Sequence, residues 1–249
     1  VIIHAITANW GSNGPARDRF YAFDKHTGDL VWFSTPGLTP KDSSFAPLIF
    51  EDLSDGRRVF YSGTGCGNVV CIDARTGQAL WRFQMSHGGV NSGVILHDDV
   101  VVAVHGKENL DATDIGRMVA IKKPVRLPGP GEPALVLGNE DEKWRNNELE
   151  AFTSKPVYRE NRIYCTSKTG VLLCLNAATG DIIWRVKLAP DQVHASPLWA
   201  DGKLYVPMFD GKCFVVKDKG DSGEKLDEVQ LDGACLAAPS ASHGRLFVQ

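Results

Sequence analysis

The feature that most constrains this chain is a twelve-residue segment that occurs three times. It reads YAFDKHTGDLVW over Tyr21–Trp32, VCIDARTGQALW over Val70–Trp81 and LCLNAATGDIIW over Leu173–Trp184. In each copy an apolar run ends at Asp24, Asp73 or Asn176. A Thr-Gly pair follows, ending at Gly28, Gly77 or Gly180, and a second apolar run closes on Trp32, Trp81 or Trp184. These are the parts of a β-hairpin. The Asx side chain accepts hydrogen bonds from nearby turn amides, and glycine supplies positive φ without a Cβ penalty. The indole buries a large flat surface where the second strand emerges. A hairpin repeated at this spacing predicts an all-β chain built from four-stranded antiparallel sheets, a β-propeller.

The rest of the chain fits units of that kind, at about 1–37, 43–89, 90–147, 149–190 and 192–233, with a partial unit at 234–249. All but the first open on a short strand preceded by a related tripeptide: Ala46-Pro47-Leu48, Ser92-Gly93-Val94, Lys155-Pro156-Val157, Ser196-Pro197-Leu198 and Ala238-Pro239-Ser240. Proline lacks a ladder donor and belongs at the start of a strand or on an edge, which suits an innermost strand beside a central channel. Two units depart from the pattern. The one at 90–147 carries a long acidic turn, Lys107–Arg117. It then has a Pro/Gly-rich insertion, Lys123–Glu132, before Trp144, the displaced equivalent of the closing indole. The one at 192–233 ends in CFVVKDKGDSGEKLDEV, a hairpin without tryptophan. Both ends of the chain fall inside a repeat. The sequence therefore favours four to five blades of a larger propeller over a ring closed by the two fragments.

Composition excludes several classes. A net charge of −3 and a pI near 6.2 give no electrostatic reason to expect nucleic acid or an anionic membrane. No apolar run approaches the roughly 20 residues of a membrane-spanning helix, and no targeting segment is visible at the start. The six cysteines, Cys66, Cys71, Cys165, Cys174, Cys213 and Cys235, form no CxxC and no vicinal pair. Cys71 and Cys174 share one repeat position and read as small buried hydrophobes; the alternative is a disulfide within a hairpin, Cys66–Cys71 or Cys165–Cys174.

The stretches HASPLWADGKLYVPMFDGK and RIYCTSKTGVLLCLNAATGDIIW resemble the quinoprotein-like, or PQQ-like, β-propeller repeat. That repeat opens on Ser-Pro and closes on Leu-Asp-x-x-Thr-Gly-x-x-x-Trp. The resemblance spans nearly the whole chain outside 122–147. It implies that Gly28, Gly77 and Gly180 with Trp32, Trp81 and Trp184 join neighbouring blades. It does not by itself imply one activity, because such propellers include quinone-dependent dehydrogenases and an outer-membrane assembly scaffold. Family members are mostly exported, so a periplasmic or extracellular location is expected.

A quinone-dependent oxidoreductase would need basic and hydroxyl groups for the carboxylates of PQQ, a catalytic carboxylate and a cation such as Ca²⁺. The channel ends of the first strands offer Asn91, Ser92, Thr153, Lys155, His194 and Ser196 as ligand-binding candidates, with no Asp or Glu among them. Gly63-Thr-Gly-Cys-Gly-Asn68 precedes a β-branched run rather than a helix, so it is not a dinucleotide loop. Glu108, Asp111 and Asp114 lack the spacing of an EF-hand and read as a solvated loop. Gly89–Gly93 is not a nucleophile elbow. No catalytic or metal-binding residue is assigned. The expected function is a non-catalytic binding or scaffolding propeller that presents loops, especially the departures of the second full unit, to another protein. No cofactor is expected on that reading, and the remainder of a larger propeller is the other expected partner. PQQ-dependent oxidation is one alternative. Carbohydrate binding is the second, and would use exposed aromatics such as Trp10 and Trp199.

Overall fold

A computed structural model describes residues 1–5, 19–38, 44–110, 114–190 and 194–249. Apart from one 3-10 turn at Asn139–Asp141, the regular structure is all strand. The first sheet holds β1 (Ile2–Ala5), β2 (Arg19–Phe23) and β3 (Leu30–Ser34). The second runs outward through β4 (Ile49–Asp52), β5 (Arg58–Gly63), β6 (Asn68–Asp73) and β7 (Ala79–Gln84). The third comprises β8 (Ile95–His97), β9 (Val100–His105) and β10 (Arg117–Lys122). Then come β11 (Leu135–Leu137), which joins the second sheet, and β12 (Glu142–Asn146), which completes the third. The fourth is β13 (Val157–Arg159), β14 (Arg162–Thr166), β15 (Val171–Asn176) and β16 (Ile182–Lys187). The fifth is β17 (Leu198–Ala200), β18 (Lys203–Pro207), β19 (Lys212–Asp218) and β20 (Gly223–Gln230), and the sixth pairs β21 (Ser240–Ser242) with β22 (Arg245–Phe247). Sequential antiparallel strands make each sheet a propeller blade, and the innermost strands β8, β13 and β17 are neighbours across blades.

The repeated hairpins form as their residues require. Asp73 Oδ1 accepts hydrogen bonds from the amides of Arg75 (2.9 Å) and Thr76 (2.8 Å), and the Gly77 amide donates to the Asp73 carbonyl at 2.9 Å. Asp24 and Asn176 do the same work in their turns. The glycines sit at φ +80° (Gly28), +75° (Gly77) and +77° (Gly180), where a side chain would be strained.

The indoles lock neighbouring blades. Trp32 lies over Gly77 of the next blade, so close that a Cβ there would stand 2.6 Å from the indole. Trp144 lies in the same way over Gly180, and its Nε1 donates to the Ala177 carbonyl at 2.9 Å. Register confirms that Trp144 is the displaced closing residue. It pairs with Ala120 immediately before a bulge, as Trp81 pairs with Cys71 and Trp184 with Cys174. In the fifth blade Asp227 holds that place, opposite Val215. Trp184 meets Gly223 instead of a turn glycine, and its Nε1 donates to Asp218 Oδ1 at 3.2 Å.

Trp81 has no turn glycine to cover, because the third blade replaces that turn with its insertion. The insertion supplies the cover. Its strand β11 adds in parallel to β7, pairing Leu135 with Trp81, and Leu127 and Leu137 pack against the core that contains Trp81. Gln78 Nε2 donates to the carbonyls of Gly129 (2.8 Å) and Glu132 (3.0 Å), and Arg57 donates to the Pro128 carbonyl. The Pro/Gly-rich segment is thus part of the blade packing.

Candidate functional site

Alternation of strand direction sorts the connections onto two faces. Turns between first and second strands, and between third and fourth strands, share one face. This is shown by backbone bonds from Ala74 to Arg58, Lys123 to Asp99 and Ala177 to Asn161. Second-to-third turns share the opposite face with the blade-to-blade loops, joined by Val90 to Thr64, His87 to Glu108, Lys168 to Glu150 and Leu188 to Gly170. The first face, here the hairpin face, holds the Asx-Thr-Gly turns. Val1, Leu30 and Val125, the last on the insertion, are large apolar side chains exposed at that end among the described residues. The second face, here the loop face, exposes Leu38, Phe45, Leu110, Ile115, Phe209 and Leu236. The two departures of the third blade therefore lie on opposite faces, the acidic turn on the loop face and the Pro/Gly-rich insertion on the hairpin face.

Most of the polar residues expected to bind a ligand at the channel mouth are engaged in joining blades. Asn91 is buried and accepts from the Phe45 amide at 3.1 Å. Ser92 is buried and donates to the Ser154 carbonyl at 2.8 Å, while Ser44 makes the matching bond to Val90 at 2.7 Å. Ser196 accepts from the Lys155 amide at 2.8 Å. Thr153 donates to the His194 carbonyl at 3.0 Å, and its hydroxyl also lies 3.2 Å from His194 Nδ1. The His194 ring sits between Phe152 and Phe209, with centroids 5.7 and 5.6 Å away. The side chain of Lys155 differs from all of these: it is half-buried, and burial lowers its pKa below the usual lysine range.

Around the axis the inner strands leave a funnel of about 580 Å³. Pro47, Pro156, Pro197 and Pro239 ring it, Ile49, Leu96, Tyr158 and Leu198 line its wall, and Thr153, Lys155 and Ser196 add the polar groups. The ring proline of the third blade is Gly93, and this exchange makes room for Lys155. A Cβ on Gly93 would lie 2.9 Å from Lys155 Cδ and 2.8 Å from Pro47 Cγ. The lysine stem therefore crosses the third blade toward the second.

This donor set does not fit PQQ. Among the described residues Lys155 is the only charged side chain lining the funnel and no carboxylate stands there to act as base, and all six cysteines are separate buried thiols, Cys66, Cys71, Cys165, Cys174, Cys213 and Cys235. The hairpin disulfides entertained for Cys66–Cys71 and Cys165–Cys174 are not formed. Burial pushes the Cys165 thiol up to about 12 and Cys174 to about 11. Among the described residues no group of three or more His, Cys, Asp or Glu is placed to hold a metal ion. Glu108 and Asp114 are exposed on the loop face, whereas Asp111 lies outside the described residues, as does Trp10. Trp199 is half-buried and stacks on Tyr164 of the neighbouring blade at 5.2 Å.

The residue that the sequence pattern left unmarked is Asp218. Besides Trp184, it accepts from Arg162 Nη1 at 2.9 Å and Tyr164 Oη at 2.6 Å. Its turn lacks Thr-Gly and its blade lacks the tryptophan, so no repeat signature pointed to it. The exposed apolar residues of the loop face were missed for the same reason, because they differ from blade to blade.

Fold and register together define a β-propeller of PQQ-like repeats with a hairpin face and a loop face. Residues 16–119 and 137–245 match the family described as outer membrane protein assembly factor BamB, and the chain belongs to that family. Curated relatives include BamB of Legionella pneumophila (strain Paris), 24% identical over 213 residues that make up 86% of this chain and 50% of that protein. BamB of Shewanella oneidensis is 25% identical over 226 residues, 78% of this chain and 55% of that protein. The chain thus spans about half the length of these relatives. The quinoprotein alcohol dehydrogenase PedE of Pseudomonas putida is 31% identical over 114 residues, 43% of this chain and 16% of that enzyme. Among solved structures, BamB from Moraxella catarrhalis superposes with a TM-score of 0.67 at 15% identity, covering 93% of this chain and 63% of that one. A chain of the mitotic checkpoint complex gives 0.63 at 13% identity, which reflects the shared propeller fold alone.

Proposed function

We propose that this chain is a non-catalytic scaffold of the cell envelope that docks a partner protein on its loop face and serves the assembly of outer-membrane proteins. The observation that carries the reading is the unequal placement of exposed apolar side chains. Four separate connections contribute Leu38, Phe45, Leu110, Ile115, Phe209 and Leu236 to one face, whereas the hairpin face exposes Val1, Leu30 and Val125 among the described residues. Large apolar side chains gathered on one face of a soluble fold are a usual mark of a protein interface. The relatives named as assembly factors support both the task and a periplasmic location facing the outer membrane. Exposed apolar residues on the outermost blades, Val31 and Phe33 in the first and Leu246 and Phe247 in the last, further support these blades as part of one larger propeller.

The test is site-specific photo-crosslinking in the cell envelope from Phe209 and Leu236, with Val125 as the control on the opposite face. Adducts with a component of the outer-membrane assembly machinery from the first two positions are expected. Equal yields from all three positions, or none from Phe209 and Leu236, would refute the loop-face reading.

A further inference from the structure

We infer that the axial funnel is a binding site for a small amphipathic monoanion, a carboxylate carried on an apolar body, with Lys155 as its counter-ion. The walls are four ring prolines with Ile49, Leu96, Tyr158 and Leu198, and the volume of about 580 Å³ falls among small-molecule sites. Into this apolar setting the chain places one cation. Among the described residues no acidic side chain pairs with Lys155, and burial lowers its pKa. A half-buried ammonium without a partner carries an uncompensated desolvation cost, and an arriving anion removes it.

The lysine is also held in place. Its amide is bonded to Ser196 Oγ at 2.8 Å, and its stem lies in the gap left by Gly93 where the other full blades carry proline. Ser196 accepts that bond, so its own O–H remains to donate to a carboxylate beside Lys155. One cation balances one negative charge, which separates this site from one built for a tricarboxylate such as PQQ. The remaining apolar wall sets the rest of the ligand, a hydrocarbon or aromatic body, by the same burial that drives any apolar group from water. The site is separate from the loop-face contacts and holds whether or not those dock a protein.

Calorimetric titration of the intact protein with sodium octanoate and, separately, 1-octanol tests this. Octanoate is expected to bind saturably at one site and more tightly than octanol. Lys155→Met keeps the stem and removes the charge. It is expected to weaken octanoate about ten-fold, the scale of one partly screened charge contact, and to leave octanol unchanged. Lys155→Arg should retain octanoate binding, and octanol binding by each variant reports that the funnel is intact. Octanoate binding no tighter than octanol, or unaffected by Lys155→Met, would overturn the proposal. So would saturable binding of PQQ with Ca²⁺ that octanoate does not displace.

Discussion

Gly28 and Gly77 provide a matched pair for measuring what the indole wedge contributes. Both occupy the same turn position, both donate to the Asx carbonyl four residues back at 2.9 Å, and their φ values are +80° and +75°. They differ in what lies above them. A Cβ on Gly28 meets nothing within 4 Å, whereas one on Gly77 stands 2.6 Å from Trp32 Cε3 and 2.7 Å from Cδ2. Alanine at either site costs about 1–2 kcal/mol for the left-handed backbone. At Gly77 the indole must also retreat by about 1 Å to restore an ordinary carbon–carbon contact, an overpacking cost of about 1–3 kcal/mol. Gly28→Ala should therefore lose about 1–2 kcal/mol and Gly77→Ala about 2–5 kcal/mol. Urea denaturation, with slope and midpoint compared between variants, reads both losses. In a Trp32→Ala background the clash is gone, so the extra cost of Gly77→Ala should disappear and leave only the backbone term. Equal losses at the two glycines, or an excess that survives removal of Trp32, would show that the wedge does not join these blades.

Asp218→Ala leaves Arg162, Tyr164 and Trp184 without their shared acceptor and should cost about 3 kcal/mol in urea; the double variant with Arg162→Met should recover part of it. Leu137→Asp should release β11 from β7 and speed hydrogen exchange at Trp81 and Phe83 while leaving the fourth blade protected; uniform change in both blades would refute the role given to the insertion. Alkaline pH should destabilise the chain through its thiols. Burial raises Cys71 and takes Cys165 to about 12 from an ordinary 9.0, so above pH 9 the unfolded chain ionises while the folded one stays protonated. Stability is then full below pH 9 and falls as pH rises, on the order of 1.4 kcal/mol per pH unit per thiol. Urea midpoints at pH 8 and pH 10 check this, and Cys165→Ala should remove its share of the slope.

The architecture was legible in the sequence because a hairpin turn leaves no freedom at its key positions. Asp73 must reach two amides, Gly77 must adopt positive φ, and Trp81 must follow on the second strand, so spacing alone reveals all three. Trp144 was legible too, since the closing indole has a fixed register that survives a long insertion before it. What the insertion does was not legible. Pro124, Pro128, Pro130 and Pro133 read as a free loop, and only three dimensions show that Leu137 returns to cover Trp81 of the preceding blade. The channel candidates divide into two groups for a physical reason. Hydroxyl and amide side chains such as Ser92 and Asn91 satisfy backbone groups at the crowded inner ends of the strands. Lys155, whose ammonium meets no acceptor among the described residues, is left facing the funnel.

The division of labour between the faces follows from where the repeat is conserved within this one chain. Asx, Gly and Trp recur because each blade must meet the next through the same geometry, and all of that geometry lies toward the hairpin face. A change there propagates into a blade seam, as the Gly77 contact illustrates. The connections on the other face share a turn glycine and buried blade-joining bonds, but leave their exposed side chains free to differ. Thr64–Gly67, Ser167–Gly170 and Met208–Gly211 close similar turns with different side chains, and the loops between blades differ in length as well as in sequence. Exposed residues there can change without disturbing the stack, so a surface selected for a partner can be built from Phe209 and Leu236 while the locks stay constant. The same logic makes a sharp demand on experiment. Substituting Phe209 and Leu236 together with Glu should abolish partner crosslinking from a probe at Phe45 yet leave the stability in urea within about 0.5 kcal/mol of the parent, the range of surface substitutions. A large loss of stability would mean that the loop face also holds the blades together, and the separation of structure from recognition would fail.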